Sequence, residues 1–168
     1  VSDPKIVASA REQTRRPAEA ADPSRAWGVL GWVGLTFLLV GGTDFALVWV
    51  PTAFGNREWV FAAVTQSFNG LPILVLGLGL LVAASAHAER PGWRRLAVGV
   101  AGVLLAWVLA GTALWASNVS LALATVPDEV RVGVQKAVAK TAVQAVAYPV
   151  VLGYLLWRGW RAGLAGLA

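Results

Sequence analysis

The sequence predicts an all-α protein, a bundle of four membrane-spanning helices, and three observations carry that expectation. Four apolar stretches, roughly 27–50, 71–88, 96–116 and 137–157, fill most of the chain. Each approaches the ~20 residues that a helix needs to cross a hydrocarbon core about 30 Å thick. Second, 57% of the 168 residues are hydrophobic and only 14% charged, against roughly 25% charged in a soluble domain. Third, the Lys and Arg residues gather at the flanks of the apolar stretches. In lipid every backbone amide must be paired internally, and a helix does this within one segment. Residues 27–168 therefore read as one domain, preceded by a polar, basic tail over 1–26.

The tail is rich in Ala, Arg, Glu and Pro and has no apolar stripe. It reads as solvated, or as an arm on anionic headgroups, where each basic residue adds about 1 kcal/mol. Arg15-Arg16 is followed by Pro17 and Glu19, where a twin-arginine export signal would continue toward an apolar core.

The first span should end at Pro51, which has no amide proton for a helical ladder. Phe54-Gly55-Asn56-Arg57-Glu58 reads as a turn. Trp59, Phe61, Ala62, Val64, Thr65 and Phe68 then predict a short interfacial helix after the first span, with a lid or docking surface as the alternative. Asn69-Gly70-Leu71-Pro72 is expected to bend the chain into the second span, Pro72 sitting where a helix start tolerates it. The second and third spans are joined by a short basic link over residues 87–95. Ser117 to Gln135 is read as the connection between the third and fourth spans. Within it, Thr125-Val126-Pro127-Asp128 has the form of a helix start. A helix from there to Trp160 would be roughly 50 Å long and stand two or three turns above the outer surface. Pro149 is expected to kink its inner half.

Charge sets the expected topology. Lys5, Arg11, Arg15, Arg16, Arg25, Arg90, Arg94, Arg95, Arg158 and Arg161 fall on one side; Arg57, Arg131, Lys136 and Lys140 fall on the other. Positive-inside bias places both N and C termini in the cytoplasm. Trp27, Trp93, Trp157 and Trp160 fall near the inner boundary, and Trp49, Trp59 and Trp115 near the outer one, the layer that indole rings favour. The net charge of +5 thus follows topology, and nucleic acid is not an expected partner.

Polar groups within the spans are the candidate binding residues, because buried charge in a membrane is costly and needs a partner. Asp44 lies about 10 Å below the outer end of the first span. Lys140 lies at comparable depth in the fourth, so an Asp44–Lys140 ion pair is one expectation. Lys136, Lys140, Gln144 and Tyr148 recur every four residues along one slightly drifting stripe. With Gln66 and Asn69 from the segment before the second span, these seven are the candidates for an outward-facing polar pocket. The plainer alternative is that Asp44 and Lys140 tie helices together, with Lys140 reaching to the surface. No cysteine is present, which excludes disulfides, thiolate metal sites and cysteine nucleophiles. A single histidine, His87, cannot provide paired axial ligands, and no pattern names a cofactor. Trp107 falls in mid-span, where a helix contact or a lipid- or pigment-facing position would suit it. The many glycines read as helix-packing positions.

Trp59 after Gly55-Asn56-Arg57-Glu58, followed by Leu71-Pro72 and Leu76-Gly77-Leu78, resembles the HpsJ-like membrane proteins of cyanobacteria. Those proteins carry an N-P-E-W-like outer turn and an I-P-L-L-G-L-like helix start. Val138-Ala139-Lys140 through Ala147-Tyr148 to Trp157-Arg158 is similar to their final helix. The resemblance covers about half the chain. The region before the last helix is short here and lacks the long polar, Gln-rich stretch of that family. The resemblance implies a non-enzymatic component linked to polysaccharide secretion or to assembly of a larger complex, and transfers no catalytic residues.

The expected protein is thus a non-catalytic accessory or scaffold subunit, in a bacterial inner membrane. Its expected partners are the lipid bilayer and other membrane subunits or a homo-oligomer. The alternative is a small transporter or channel-like protein using the Asp44/Lys140 pocket; no inverted repeat is evident for it.

Overall fold

The computed structural model describes residues 23–87 and 91–164. Residues 1–22 of the tail, the link residues 88–90 and the last four residues lie outside them, and with them Lys5, Arg11, Arg15, Arg16 and Arg90; residues 23–26 of the tail belong to the first helix. The described residues form four α-helices and no strand: α1 Pro23–Leu47, α2 Arg57–His87, α3 Pro91–Thr125 and α4 Asp128–Leu164. All four are long and apolar enough to cross a membrane.

Consecutive helices run antiparallel. Gly34 of α1 meets Gly77 of α2, Gly41 meets Leu74, and Asp44 lies beside Gly70. One end of the bundle therefore carries the start of α1, the α2–α3 link and the end of α4. This is the terminal end. The distal end carries the α1–α2 connection and the α3–α4 turn.

α2 is the central element and packs on all three others; α3 also packs on α4, whereas α1 and α4 share no packed interface. Its buried positions include Val60, Val64, Ser67, Leu71, Leu74, Leu78 and Leu81, alternating by four and three residues. α3 repeats the rhythm with Ala97, Ala101, Leu104, Val108, Gly111 and Trp115. Such spacing keeps one seam of a helix turned to its neighbours along the whole bundle. α1 buries a narrower line of small residues, Gly31, Gly34 and Gly41. At the α1–α2 crossing, a Cβ built on Gly34 would stand 2.7 Å from the Gly77 carbonyl oxygen, and one on Gly77 equally close to that of Gly34. Backbone rests on backbone there, the close approach that small residues allow between membrane helices.

Two helix boundaries differ from the expectation. The segment 59–68 is not a separate interfacial helix; it forms the first turns of α2, which continues without a break through Asn69, Gly70 and Pro72. Val64, Ser67 and Phe68 are fully buried core residues, so tertiary packing overrides the local breakers. Likewise, Ser117–Thr125 is the last part of α3. Thr125 does not cap α4: its hydroxyl donates to the Leu121 carbonyl, one turn back in α3. The start of α2 is capped as its turn composition suggests. Asn56 Oδ1 accepts the amides of Glu58 and Trp59 at 3.0 and 3.1 Å, satisfying two donors that a helix start otherwise leaves unpaired.

Candidate functional site

The seven polar candidates separate into four groups. Asp44 is exposed on α1 and borders a shallow recess with Leu39, Val40, Thr43 and Leu47. Gln66 and Asn69 are exposed on α2, and Lys136 and Lys140 are exposed on α4. Gln144 and Tyr148 alone turn inward and meet each other. Among the described residues Asp44 and Lys140 form no ion pair; the pair found there is Asp128–Arg131 at 2.8 Å, on the first turn of α4. The reason lies in helix order. Depth along a span follows from residue count, but α1 and α4 do not share an interface.

The stripe on α4 divides for a geometric reason. A step of four residues advances slightly more than one turn of 3.6. Over the twelve residues from Lys136 to Tyr148 the stripe rotates by about a third of a turn. Its distal members therefore face outward while Gln144 and Tyr148 point at the core.

What those two reach is the backbone of α2. Gln144 Nε2 donates to the Phe68 carbonyl and to the Tyr148 hydroxyl, both at a long 3.4 Å. The Phe68 carbonyl lies four residues before Pro72, which has no amide proton to offer it. The side chain from α4 thus serves a carbonyl that α2 cannot serve itself. Around it, Thr65 Oγ1, Thr141 Oγ1 and Gln144 Oε1 are buried without a partner among the described residues.

An aromatic group surrounds this node. Trp107 packs edge-on against Phe45 at 4.6 Å and lies 5.6 Å from Phe68, which lies 6.3 Å from Tyr148. Trp107 is therefore a contact between helices. Trp49 extends the group toward Phe54 and Trp59. Its indole N–H donates to the hydroxyl of buried Ser67 at 3.0 Å, which ties the α1–α2 connection to α2. The aromatic residues themselves signalled this group; their convergence depended on helix order. At the terminal end Trp27 stacks on His87 at 4.0 Å, and Arg161 lies over the Trp157 ring at 4.6 Å.

Among the described residues no three His, Cys, Asp or Glu side chains come together to hold a metal ion. Comparison of the chain with protein-family models, curated proteins and solved structures finds no match.

Proposed function

We propose that the chain is an integral membrane protein, both termini cytoplasmic, that acts as a non-catalytic accessory or scaffold subunit in the assembly or stability of a larger membrane complex. The observation that carries this reading is the length of the α3–α4 hairpin. α3 has 35 residues and α4 has 37, hence about 52 and 55 Å at 1.5 Å per residue. Even tilted by 40°, each spans about 40 Å along the bilayer normal, beyond the roughly 30 Å of hydrocarbon.

The charges put the excess at the distal end, where Asp128, Glu129, Arg131, Lys136 and Lys140 occupy the first turns of α4. Val130 and Val132 are 54% and 61% exposed on that same stretch. A protruding helical arm with apolar residues set among charges suits docking of another protein. The resemblance to HpsJ-like proteins implies the same class of role.

The test is native mass spectrometry of the protein gently extracted from its source membrane, beside a V130E/V132E double variant. A subunit that accompanies the wild-type chain and is lost from the variant supports the reading. A wild-type chain that travels alone, or a variant that keeps the same company, sinks it.

A further inference from the structure

The core leaves one long apolar groove unused. It lies between α1 and α3, floored by Leu74 of α2, with a volume of about 620 Å³. Ring contacts draw the two helices together on either side of it, Trp32 with Trp93 toward the terminal end and Phe45 with Trp107 toward the distal end. Between those contacts Gly42 and Gly99 line the walls, and a Cβ on either would meet no atom within 4 Å. Their missing side chains leave the groove its width. All of the lining is apolar except Arg95 at the terminal end. Arg95 is exposed and pairs with no carboxylate among the described residues.

We propose that this groove holds one acyl chain of a phospholipid with an anionic headgroup, the guanidinium of Arg95 engaging its phosphate. The dimensions match. The α1 wall runs from Leu35 to Phe45, about 15 Å, which is half the hydrocarbon thickness and so the depth of one leaflet. The charge matches as well. Arg95 stands about one turn inside the start of α3, beside Trp93, where headgroup and hydrocarbon meet. Guanidinium is the side chain best suited to a phosphate, through paired, charge-assisted hydrogen bonds. The inference rests on the membrane-spanning reading and not on the scaffold role.

The experiment is native mass spectrometry of the chain in micelles containing phosphatidylglycerol or phosphatidylcholine. The wild-type chain is expected to retain one phosphatidylglycerol, favoured over phosphatidylcholine by roughly tenfold, the worth of one charged hydrogen-bonding contact. Arg95→Gln removes that preference. Gly99→Leu fills the groove from α3, and Gly42→Leu fills it from α1; both abolish retention of either lipid. Neither introduced Cβ meets an existing atom, and each substitution raises helix propensity, so the fold survives. If one leucine variant fails to insert, the other decides the matter.

Equal retention of the two lipids by the wild-type chain overturns the proposal. So does undiminished retention in a folded leucine variant. The chain has no cysteine, so Val103→Cys at the groove rim offers a single crosslinking site. A disulfide dimer through it would seat a second copy in the groove instead of lipid. Release of the wild-type chain from alkaline-washed membranes would remove the membrane reading itself, and this proposal with it.

Discussion

Pro72 withholds the amide proton that α2 would otherwise send to the Phe68 carbonyl, and Gln144 of α4 sends one in its place. Hydrogen bonds between membrane helices contribute about 0.6 kcal/mol on average, and a length of 3.4 Å favours that modest figure. Gln144→Leu should therefore destabilise the bundle by about 0.6 kcal/mol in a detergent-unfolding titration. In a Pro72→Ala background, where the helix pairs its own carbonyl, the same substitution should cost almost nothing. Equal costs in both backgrounds would show that Gln144 stabilises in some other way. The Trp49–Ser67 bond is shorter, at 3.0 Å, and Ser67 is 1% exposed. Ser67→Ala should cost more, about 1–2 kcal/mol, because the indole N–H is left without its partner. A shift in Trp49 emission, seen by comparison with a Trp49→Phe chain, would locate the change. Gln144 and Tyr148 were legible as polar groups within an apolar stretch. Their task was not, because the orphaned carbonyl lies on α2 and only helix order brings the two together.

At the scale of the element, the α1–α2 seam depends on two glycines. A side chain at Gly34 or Gly77 meets a backbone carbonyl at 2.7 Å, and backbone cannot rotate away as a side-chain tip can. Ordinary overpacking of a core costs about 1–3 kcal/mol. Gly77→Leu should reach or exceed the upper end of that range, read as separation of α1 from the rest by proteolysis in the connection over 48–56. Gly79→Leu is the control: nothing stands within 4 Å of its Cβ, so stability should stay level or rise. A Gly77→Leu chain as stable as Gly79→Leu would mean that α1 does not sit where this packing puts it. The apolar stretches alone revealed the four helices, since lipid permits little else. Their ends were less legible. Asn69-Gly70-Leu71-Pro72 carries every local mark of a break, yet α2 continues through it, with Phe68 and Leu71 fully buried. Ser117 and Asn118 looked like loop residues, and Thr125 like the cap of the next helix. Their side chains instead bond back to carbonyls of their own helix, a geometry that hydroxyl and amide groups share between loops and helices.

For the whole molecule, charge distribution argues for orientation. Among the described residues the terminal end carries Arg25, Arg94, Arg95, Arg158 and Arg161 and no carboxylate. The distal end mixes Arg57, Arg131, Lys136 and Lys140 with Glu58, Asp128 and Glu129. Basic residues in short loops resist translocation while acidic ones count for little, so the terminal end should stay in the cytoplasm. The cysteine-free chain makes this directly testable. Gly55→Cys in the distal connection should react with a membrane-impermeant maleimide on intact spheroplasts, whereas Arg161→Cys should react only after lysis. Gly55 tolerates the change, since a Cβ there meets nothing within 4 Å, and Arg161 is exposed. The reverse labelling pattern would invert the molecule. The α3–α4 arm would then point into the cytoplasm and Arg95 would meet the opposite leaflet, so any docked subunit would have to be sought on the other side. Labelling of both sites without lysis would rule out a spanning bundle. The orientation thus decides which compartment can supply a partner and which leaflet can supply a lipid.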